Sequence, residues 1–234
     1  MTNFSNWTVG RRLIAGFGLS AITLVVIATI AYLNANTTIE NEKWVDHSYQ
    51  VRFKLASLIS DVIDGETGVR GFVITGNESF LAPYKDSLTT ITNTINDLRR
   101  LTADNPSQQQ RLSELAPLIE RKLAQFRARI DARRNEGFDG ALKLVQTGES
   151  NEFTNKIRAV LADADKEEAG LLQKRSQDAR NSANRTMSII LWGGLLGMLA
   201  VAAIGWFISR SLTGQIGSAV GQVRSSSTEY GSSM

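Results

Sequence analysis

The side chains best able to do chemistry lie between residues 61 and 70. Asp61, Asp64, Glu66 and Arg70 occur there among glycines spaced three residues apart. Glu66 and Arg70 stand four residues apart, in the order that favours a helical ion pair worth about 0.3–0.5 kcal/mol when exposed. Clustered carboxylates also suggest acid/base chemistry or a calcium site. Because these side chains would point around a helix instead of converging from a loop, we predict no metal site here.

Other patterns typical of catalysis are missing from the sequence. The chain has no cysteine and a single histidine, which excludes disulfide frameworks, thiol catalysis and the common zinc sites. No nucleophile and base arrangement and no phosphate-binding glycine loop occurs. We therefore expect no catalytic residue, no cofactor and no enzyme activity in these 234 residues; any kinase activity would lie beyond residue 234.

The glycines between the charged residues predict close packing. Gly65, Gly68 and Gly71 would each cost about 1 kcal/mol in an exposed helix. Their regular spacing therefore indicates that a neighbouring helix packs closely against this face. Gly76, after Thr75, is suited to end the helix, because glycine adopts the left-handed cap conformation without steric penalty. We favour this packing role over direct ligand contact for the glycine-rich stretch.

The region between residues 34 and 186 predicts helices. It has almost no proline, and its apolar residues recur at steps of three and four. The first helix is expected to end near Ile74 and carries an apolar stripe on which Glu66 also falls: Leu55, Ile59, Val62, Val69 and Val73. Pro83 and Tyr84 mark the first turns of the second helix.

Two further helices complete the predicted bundle. The third starts after Pro106 and carries the stripe Leu112, Leu115, Ile119, Leu123, Phe126 and Ile130. The helix is expected to loosen around residues 137–140 and to resume through residues 144–148, before a fourth helix that can run unbroken into the apolar stretch after it. Four amphipathic helices joined by short turns predict an all-α, antiparallel four-helix bundle at residues 34–186.

Two uncharged apolar stretches flank this bundle. Residues 13–33 and 187–208 each reach roughly 30 Å as a helix, the thickness of the hydrocarbon core of a bilayer. Both are predicted to be transmembrane helices. A cleaved signal peptide is the alternative for the first, but the stretch is long and no clear cleavage site follows it. Residues 1–12 would then form a tail, and residues 209–234 the start of a signalling helix that reads as truncated.

The distribution of charge indicates a membrane and excludes nucleic acid as a partner. Residues 34–186 contain 22 Lys and Arg and 22 Asp and Glu, so their charges cancel. The net charge of +3 comes from four arginines near the apolar stretches, Arg11, Arg12, Arg210 and Arg224, against Glu229, as the positive-inside rule predicts. We expect a multi-pass protein of the bacterial inner membrane, with both termini cytoplasmic and residues 34–186 periplasmic or extracellular.

A run of residues in the glycine-rich stretch resembles a known family. Residues 64–76, together with Phe80-Leu81 and Pro83-Tyr84, resemble the hallmark of the third CHASE class (CHASE3), an extracytoplasmic sensory domain of bacterial receptors. Residues 157–175 are similar to the closing segment of that family. The resemblance implies a four-helix sensor between two spans that feeds histidine kinases, cyclases or chemoreceptors. It does not supply a ligand.

The residues after the second span bear on the output. HAMP linkers usually have a proline shortly after the membrane, and residues 210–214 have none. Residues 216–229 resemble the first cytoplasmic helix of methyl-accepting chemotaxis receptors. We therefore expect the amino-terminal part of a chemoreceptor-like protein that transmits a stimulus by helix displacement. The alternatives are a two-component histidine kinase and a membrane-anchored helical scaffold without a ligand.

Partners and ligand follow from the same pattern. We expect the lipid bilayer, a second copy of the chain in a homodimer, cytoplasmic signalling proteins and a small-molecule or protein stimulus as partners. The candidate ligand-binding residues are Glu66, Arg70 and Arg158, because basic residues near the predicted turns suit an anion or a small polar compound.

Overall fold

All the secondary structure in the described part of the chain is helical. The structure, a computed structural model, describes residues 8–231, with side chains for residues 8, 10, 11, 13–210 and 213. Residues 1–7 of the predicted tail and 232–234 of the predicted signalling helix lie outside this range. Within it the elements are α1 (Val9–Thr75), a 3-10 helix (Glu78–Leu81), α2 (Ala82–Leu101), α3 (Pro106–Asn135), α4 (Gly137–Gln146) and α5 (Glu149–Gly231).

The chain divides into two compact units, both of which contain parts of α1 and α5. One unit comprises residues 1–40 and 179–234, and the other comprises residues 41–178. Both α1 and α5 contain a stretch that is long and apolar enough to cross a membrane. Only 6% of each apolar stretch is buried, so these are not the core helices of a soluble protein.

Small residues allow the two apolar stretches to pack against each other. A Cβ built on Gly16 would lie 2.7 Å from Ile208 Cδ1, and one built on Gly197 would lie 3.2 Å from Ile27 Cδ1. Such close approach at small residues is typical of helix pairs in membranes. Next to the second of these stretches, Thr38 Oγ1 donates a hydrogen bond to Ser182 Oγ at 3.3 Å.

The unit of residues 41–178 is an all-α bundle of parts of α1 and α5 with α2 and α3, as predicted. Ion pairs join neighbouring helices: Lys54 to Asp97 between α1 and α2, and Arg52 to Asp165 between α1 and α5, each at 2.7 Å. Gln108 of α3 donates to the carbonyl of Ala164 in α5 at 3.0 Å. The short helix α4 packs on α3 and places Ala141 in the core.

The apolar core of the bundle consists of two clusters. The first cluster is built around Val51, Leu55, Leu58, Val62, Ile91, Leu98, Leu112, Leu115, Ile119, Ile157 and Leu161. The second is built around Val69, Phe72, Val73, Leu81, Tyr84, Phe126, Ile130 and Ala141. Along α1 the first cluster ends at Val62 and the second begins at Val69, so the residues between them occupy a boundary inside the bundle.

The turn after α1 begins at Gly76, the residue expected to end the first helix. Gly76 has φ +72°, a conformation that glycine adopts without strain. Asn77 accepts a hydrogen bond from Ser79 N at 2.9 Å and caps the 3-10 helix that precedes α2. Arg133 of α3 closes the turn by donating to the carbonyl of Val73 at 2.8 Å.

The glycines of α1 face the chain that enters α2. A Cβ on Gly68 would lie 2.8 Å from the carbonyl oxygen of Phe80 and 3.3 Å from Tyr84 N, and one on Gly71 would lie 2.5 Å from Phe80 Cδ1. On Gly65 it would lie 2.7 Å from Ser87 Oγ. Gly68 is the most restrictive of the three, because its neighbour is backbone that cannot rotate away.

We predict that Gly68→Ala destabilises the bundle by about 1–3 kcal/mol, since the added methyl must displace the backbone of Phe80. The matched control is Gly170→Ala on α5, where no atom lies within 4 Å of the new Cβ. Better helix propensity should stabilise that variant by about 0.5–1 kcal/mol. Denaturant unfolding followed by circular dichroism measures both changes, and a Gly68→Ala protein as stable as the parent would show that this contact is not tight.

Candidate functional site

A buried carboxylate lies at the boundary between the two apolar clusters. Glu66 follows Val62 on the inward face of α1, and its residue is only 8% exposed. Each carboxylate oxygen accepts hydrogen bonds from other helices. Thr154 Oγ1 donates to Glu66 Oε2 at 3.1 Å, and Ser150 Oγ donates to Glu66 Oε1 at 3.3 Å.

The counter-charge is a lysine of α3. Lys122 is fully buried, and its Nζ donates to Glu66 Oε2 at 2.9 Å, to Ser150 Oγ at 2.6 Å and to the carbonyl of Ser150 at 3.0 Å. These three bonds use every proton of the ammonium group. The Nζ also lies 5.1 Å from the centroid of the Phe126 ring. A buried ammonium is tolerated because its charge is paired and its donors are satisfied.

We name these four residues, Glu66, Lys122, Ser150 and Thr154, the polar layer. They come from α1, α3 and the first turns of α5, and they separate the two apolar clusters. Ile119 and Phe126 on either side of Lys122 belong to different clusters. A shift of any of the three helices along its axis would move a charged group against apolar side chains, so the polar layer fixes the register of the bundle.

Burial and pairing act on the two charges in different directions. Burial raises the pKa of Glu66, but the hydrogen bond and charge of Lys122, with Thr154 and Arg70, outweigh it, and the net pKa lies below its ordinary value of 4.5. For Lys122, burial lowers the pKa below its ordinary value, and the bond to Glu66 offsets only part of that effect. Pairing therefore favours the charged form of Glu66, whereas the buried ammonium of Lys122 carries a desolvation cost that pairing only partly offsets.

The three candidate ligand-binding residues line one cavity of about 330 Å³ between α1 and α5. Glu66 forms its inner wall, and Arg70 and Arg158 lie at its rim, where both are exposed. Arg70 Nη2 lies 3.5 Å from Glu66 Oε1, which is an ion pair rather than a hydrogen bond. The structure therefore brings together the residues that the sequence singled out separately.

A second cavity of about 260 Å³ lies on the other side of Arg70, at the amino end of α5. It shares Glu66, Arg70 and Asn151 with the first cavity. Its additional charged residue is Arg129 of α3, which is only 7% exposed.

The remaining acidic candidates do not join this site. Asp64 is exposed, and Asp61 is half-buried, with its Oδ2 lacking a hydrogen-bond partner among the described residues. Burial, followed by the charge of Asp64, raises the pKa of Asp61. The described part of the chain contains no group of His, Cys, Asp and Glu side chains that could hold a metal ion.

Pro83 and Tyr84 support the site from the entry of α2. Pro83 lies in the first turn of α2. Tyr84 is buried and meets the Phe126 ring edge to face, with centroids 6.0 Å apart. Since Phe126 also lies under the Lys122 ammonium, this contact connects the glycine-packed turn to the polar layer.

Sequence reasoning did not find Lys122, Ser150, Thr154 or Arg129. A signal for two of them was present, because Lys122 and Arg129 continue the three-and-four spacing of the apolar stripe on α3. The predicted stripe includes Leu123 at this turn and omits its neighbour Lys122. No comparable signal marks Ser150 and Thr154, which lie in a polar segment with several hydroxyl residues.

Comparison with known proteins places this bundle in a family. The family description "CHASE3 domain" matches residues 41–178, more than half of the chain. The chain belongs to the CHASE3 domain family. The matched range lies inside the region 34–186 predicted from the sequence and coincides with one of the two compact units.

One solved structure is similar to the CHASE3 bundle. It is the sensor domain of the Rhodopseudomonas palustris histidine kinase HK9, with 25% sequence identity and a TM-score of 0.50. The match covers 54% of this chain and 98% of that sensor domain. No curated protein sequence matches the chain significantly. The CHASE3 assignment and the two apolar helices together indicate a membrane protein with a sensory role.

We predict that Lys122→Met destabilises the CHASE3 domain by about 3–5 kcal/mol, because Glu66 would remain buried without its counter-charge. The double variant Glu66→Gln with Lys122→Met should recover part of this loss, since it leaves no unpaired charge. Lys156→Met is the matched control, because its ion pair with Glu152 is exposed on α5 and should contribute little to stability. Equal losses in the Lys122 and Lys156 variants, measured by denaturant unfolding, would refute a structural role for the pair.

The lowered pKa of Glu66 predicts an acid-dependent stability. A carboxyl whose pKa is lowered in the folded state contributes its full stability above the ordinary value of 4.5 and loses it as the pH falls through the folded value. The difference in unfolding free energy between the parent and Glu66→Gln should therefore be constant from pH 7 to pH 5 and shrink below about pH 4.5. A difference that stays constant down to pH 3 would contradict the assignment.

Proposed function

We propose that this chain is the sensory and membrane part of a transmembrane signal receptor that acts in chemotaxis. The observation that carries the proposal is the course of α5. This helix begins in the polar layer of the CHASE3 domain, contains the second membrane-crossing stretch and continues to Gly231. Because α5 is unbroken, a displacement at the polar layer can be transmitted along it through the membrane-crossing stretch. In this role the chain senses and transmits; it does not catalyse.

The polar layer is the proposed point of control. There α5 is held to α1 and α3 by hydrogen bonds instead of by apolar packing alone. Hydrogen bonds to a buried charge are either made or broken. Because the close-packed core around them does not deform continuously, the bundle favours a switch between two discrete arrangements. A stimulus that binds beside Glu66 and favours one arrangement over the other would shift the receptor between two states by its differential affinity.

The remaining parts of the proposal concern topology and partners. Both termini lie in the cytoplasm of a bacterial cell, and residues 34–186 lie outside the inner membrane.

A second copy of the chain is the proposed partner of the sensory domain. It is supported by Tyr49 and Phe53, which are exposed on α1 beside Leu161 of α5, in a groove of about 560 Å³. Cytoplasmic signalling proteins receive the output.

A histidine kinase output is the second candidate. It is supported by the similarity to the sensor domain of the histidine kinase HK9, which spans nearly all of that domain. The chemotaxis output is supported by the residues after the second span, which have no proline at positions 210–214 and resemble a chemoreceptor helix at 216–229.

We predict that locking α1 to α5 fixes the output. Since the chain contains no cysteine, the pair Thr38→Cys and Ser182→Cys introduces one defined disulfide, at positions whose hydroxyl oxygens are 3.3 Å apart. The protein, expressed in membranes from its native reading frame, should show different output in oxidised and reduced samples. Thr38→Cys alone is the control and should not respond to oxidant. Identical output from the locked and reduced pair would refute transmission by helix displacement.

The same membranes distinguish the two outputs. Incubated with labelled ATP and a purified chemotaxis kinase with its coupling protein, a chemoreceptor would change the labelling of the added kinase and remain unlabelled itself. A histidine kinase would become labelled without any addition. Self-labelling would reject the chemotaxis output, and stimulation of the added kinase would reject the kinase alternative.

A further inference from the structure

Arg129 is a buried cation without a direct partner. Its residue is 7% exposed. Within residues 8–231 its guanidinium has no hydrogen bond and no ion pair; Glu66 and Glu149 act on it only at longer range. Burial lowers the pKa of Arg129, because desolvation disfavours the charged form. None of its nitrogens is completely enclosed, so the guanidinium opens onto the adjoining cavity, where an anion would supply the pairing that a desolvated charge normally has.

The guanidinium lines the cavity of about 260 Å³ at the amino end of α5. We name this space the α5 amino-end cavity. Its polar lining includes Arg70, Arg129 and Asn151. Its apolar lining consists of three valines, Val69 and Val73 from α1 and Val145 from α4. A cation therefore faces an apolar wall across a space large enough for a small molecule.

The charges around the cavity leave a positive excess. Lys122, Arg70 and Arg129 contribute three positive charges, and Glu66 and Glu149 contribute two negative charges, which leaves +1 (3 − 2). The carboxylate of Glu66 is already bonded to Lys122 and Thr154, so it does not neutralise Arg129. The Arg70 side chain is 65% exposed, is paired with Glu66 at 3.5 Å and lines the same cavity.

The backbone adds to this preference for an anion. Gly148, with φ +73°, turns the chain directly before α5 begins. The first N–H groups of a helix lack acceptors within the helix, and the helix dipole places partial positive charge at this end. Gly148 and Ser150 both line the cavity, so this end of α5 and the guanidinium of Arg129 border the same space.

We propose that the α5 amino-end cavity binds a small organic carboxylate, whose carboxylate group pairs with Arg129 and Arg70 while its hydrocarbon part packs on Val69, Val73 and Val145. The apolar wall distinguishes this ligand from phosphate or sulfate, which present oxygen on every side. Only the role of the ligand as the stimulus rests on the proposed receptor function. Bound there, it joins α3 and α1 beside the first turn of α5 and changes the polar layer through Arg70 and Ser150.

The test is binding to the full chain in nanodiscs, measured by calorimetry. The probes are straight-chain mono- and dicarboxylates of two to five carbons, with propionamide as the neutral counterpart of propionate and inorganic phosphate as an anion without an apolar part. We expect at least one carboxylate to bind saturably with one site per chain, and to bind at least tenfold more tightly than propionamide or phosphate.

Two arginine variants of α3 assign the binding to this cavity. Arg129→Met should weaken carboxylate binding at least tenfold and raise the melting temperature of the ligand-free protein, because it removes an unpaired buried charge. Arg127→Met, on the exposed face of the same helix, should leave both unchanged. An arginine with a purely structural role would instead lower the melting temperature when replaced.

Several results would overturn the proposal. They are the absence of binding by every carboxylate, equal binding of phosphate or propionamide, unchanged binding in Arg129→Met, and a lower melting temperature in that variant. Failure of the receptor function would appear separately, as an output that does not respond to the disulfide lock. Carboxylate binding without a response to the disulfide lock would support the binding site and reject the receptor function. A response to the lock without carboxylate binding would reject only the binding site.

Discussion

The ion pair between Glu66 and Lys122 is the interaction on which the arrangement of the CHASE3 bundle depends. Both charges are buried between two apolar clusters, and both are satisfied only when α1, α3 and α5 are in one register. Sliding any one of these helices along its axis would leave a buried charge without its partner, at a cost of several kcal/mol. Apolar packing alone tolerates many substitutions and repackings, so the polar layer is what selects one alignment of the three helices.

Two faces of α1 perform different tasks. Its glycine face lets the backbone between Phe80 and Tyr84 approach closely, and its Glu66 face holds α3 and α5. The Tyr84 and Phe126 rings link the two faces, because Phe126 contacts both Tyr84 and the Lys122 ammonium. The stretch that identifies the family is therefore also the place where the turn, the polar layer and both cavities meet. A ligand in either cavity would act on the hydrogen bonds that position the start of α5.

Much of this organisation could be predicted from the sequence, because apolar periodicity and glycine carry strong local signals. The membrane-crossing stretches, the all-α bundle and the position of Glu66 on an apolar stripe are of this kind. The short helix α4 was only suggested by loosening near Gly137, since the break there depends on a single residue with φ +78°. Lys122 and Arg129 were missed because the sequence alone does not distinguish a buried charged residue from one at the solvent-exposed edge of an apolar stripe. The distinction requires knowledge of the residues around it. Their partners lie on other helices, at distances in the sequence that no local pattern encodes.

The most direct test of the central claim is amide hydrogen exchange in the parent and in Glu66→Gln, followed by mass spectrometry. If the polar layer holds the start of α5, the substitution should accelerate exchange selectively in residues 149–158, while residues 91–101 of α2, which contribute no residue to the polar layer, retain their protection. Unchanged protection of residues 149–158, or an equal loss throughout the bundle, would show that the Glu66–Lys122 pair does not specifically position α5.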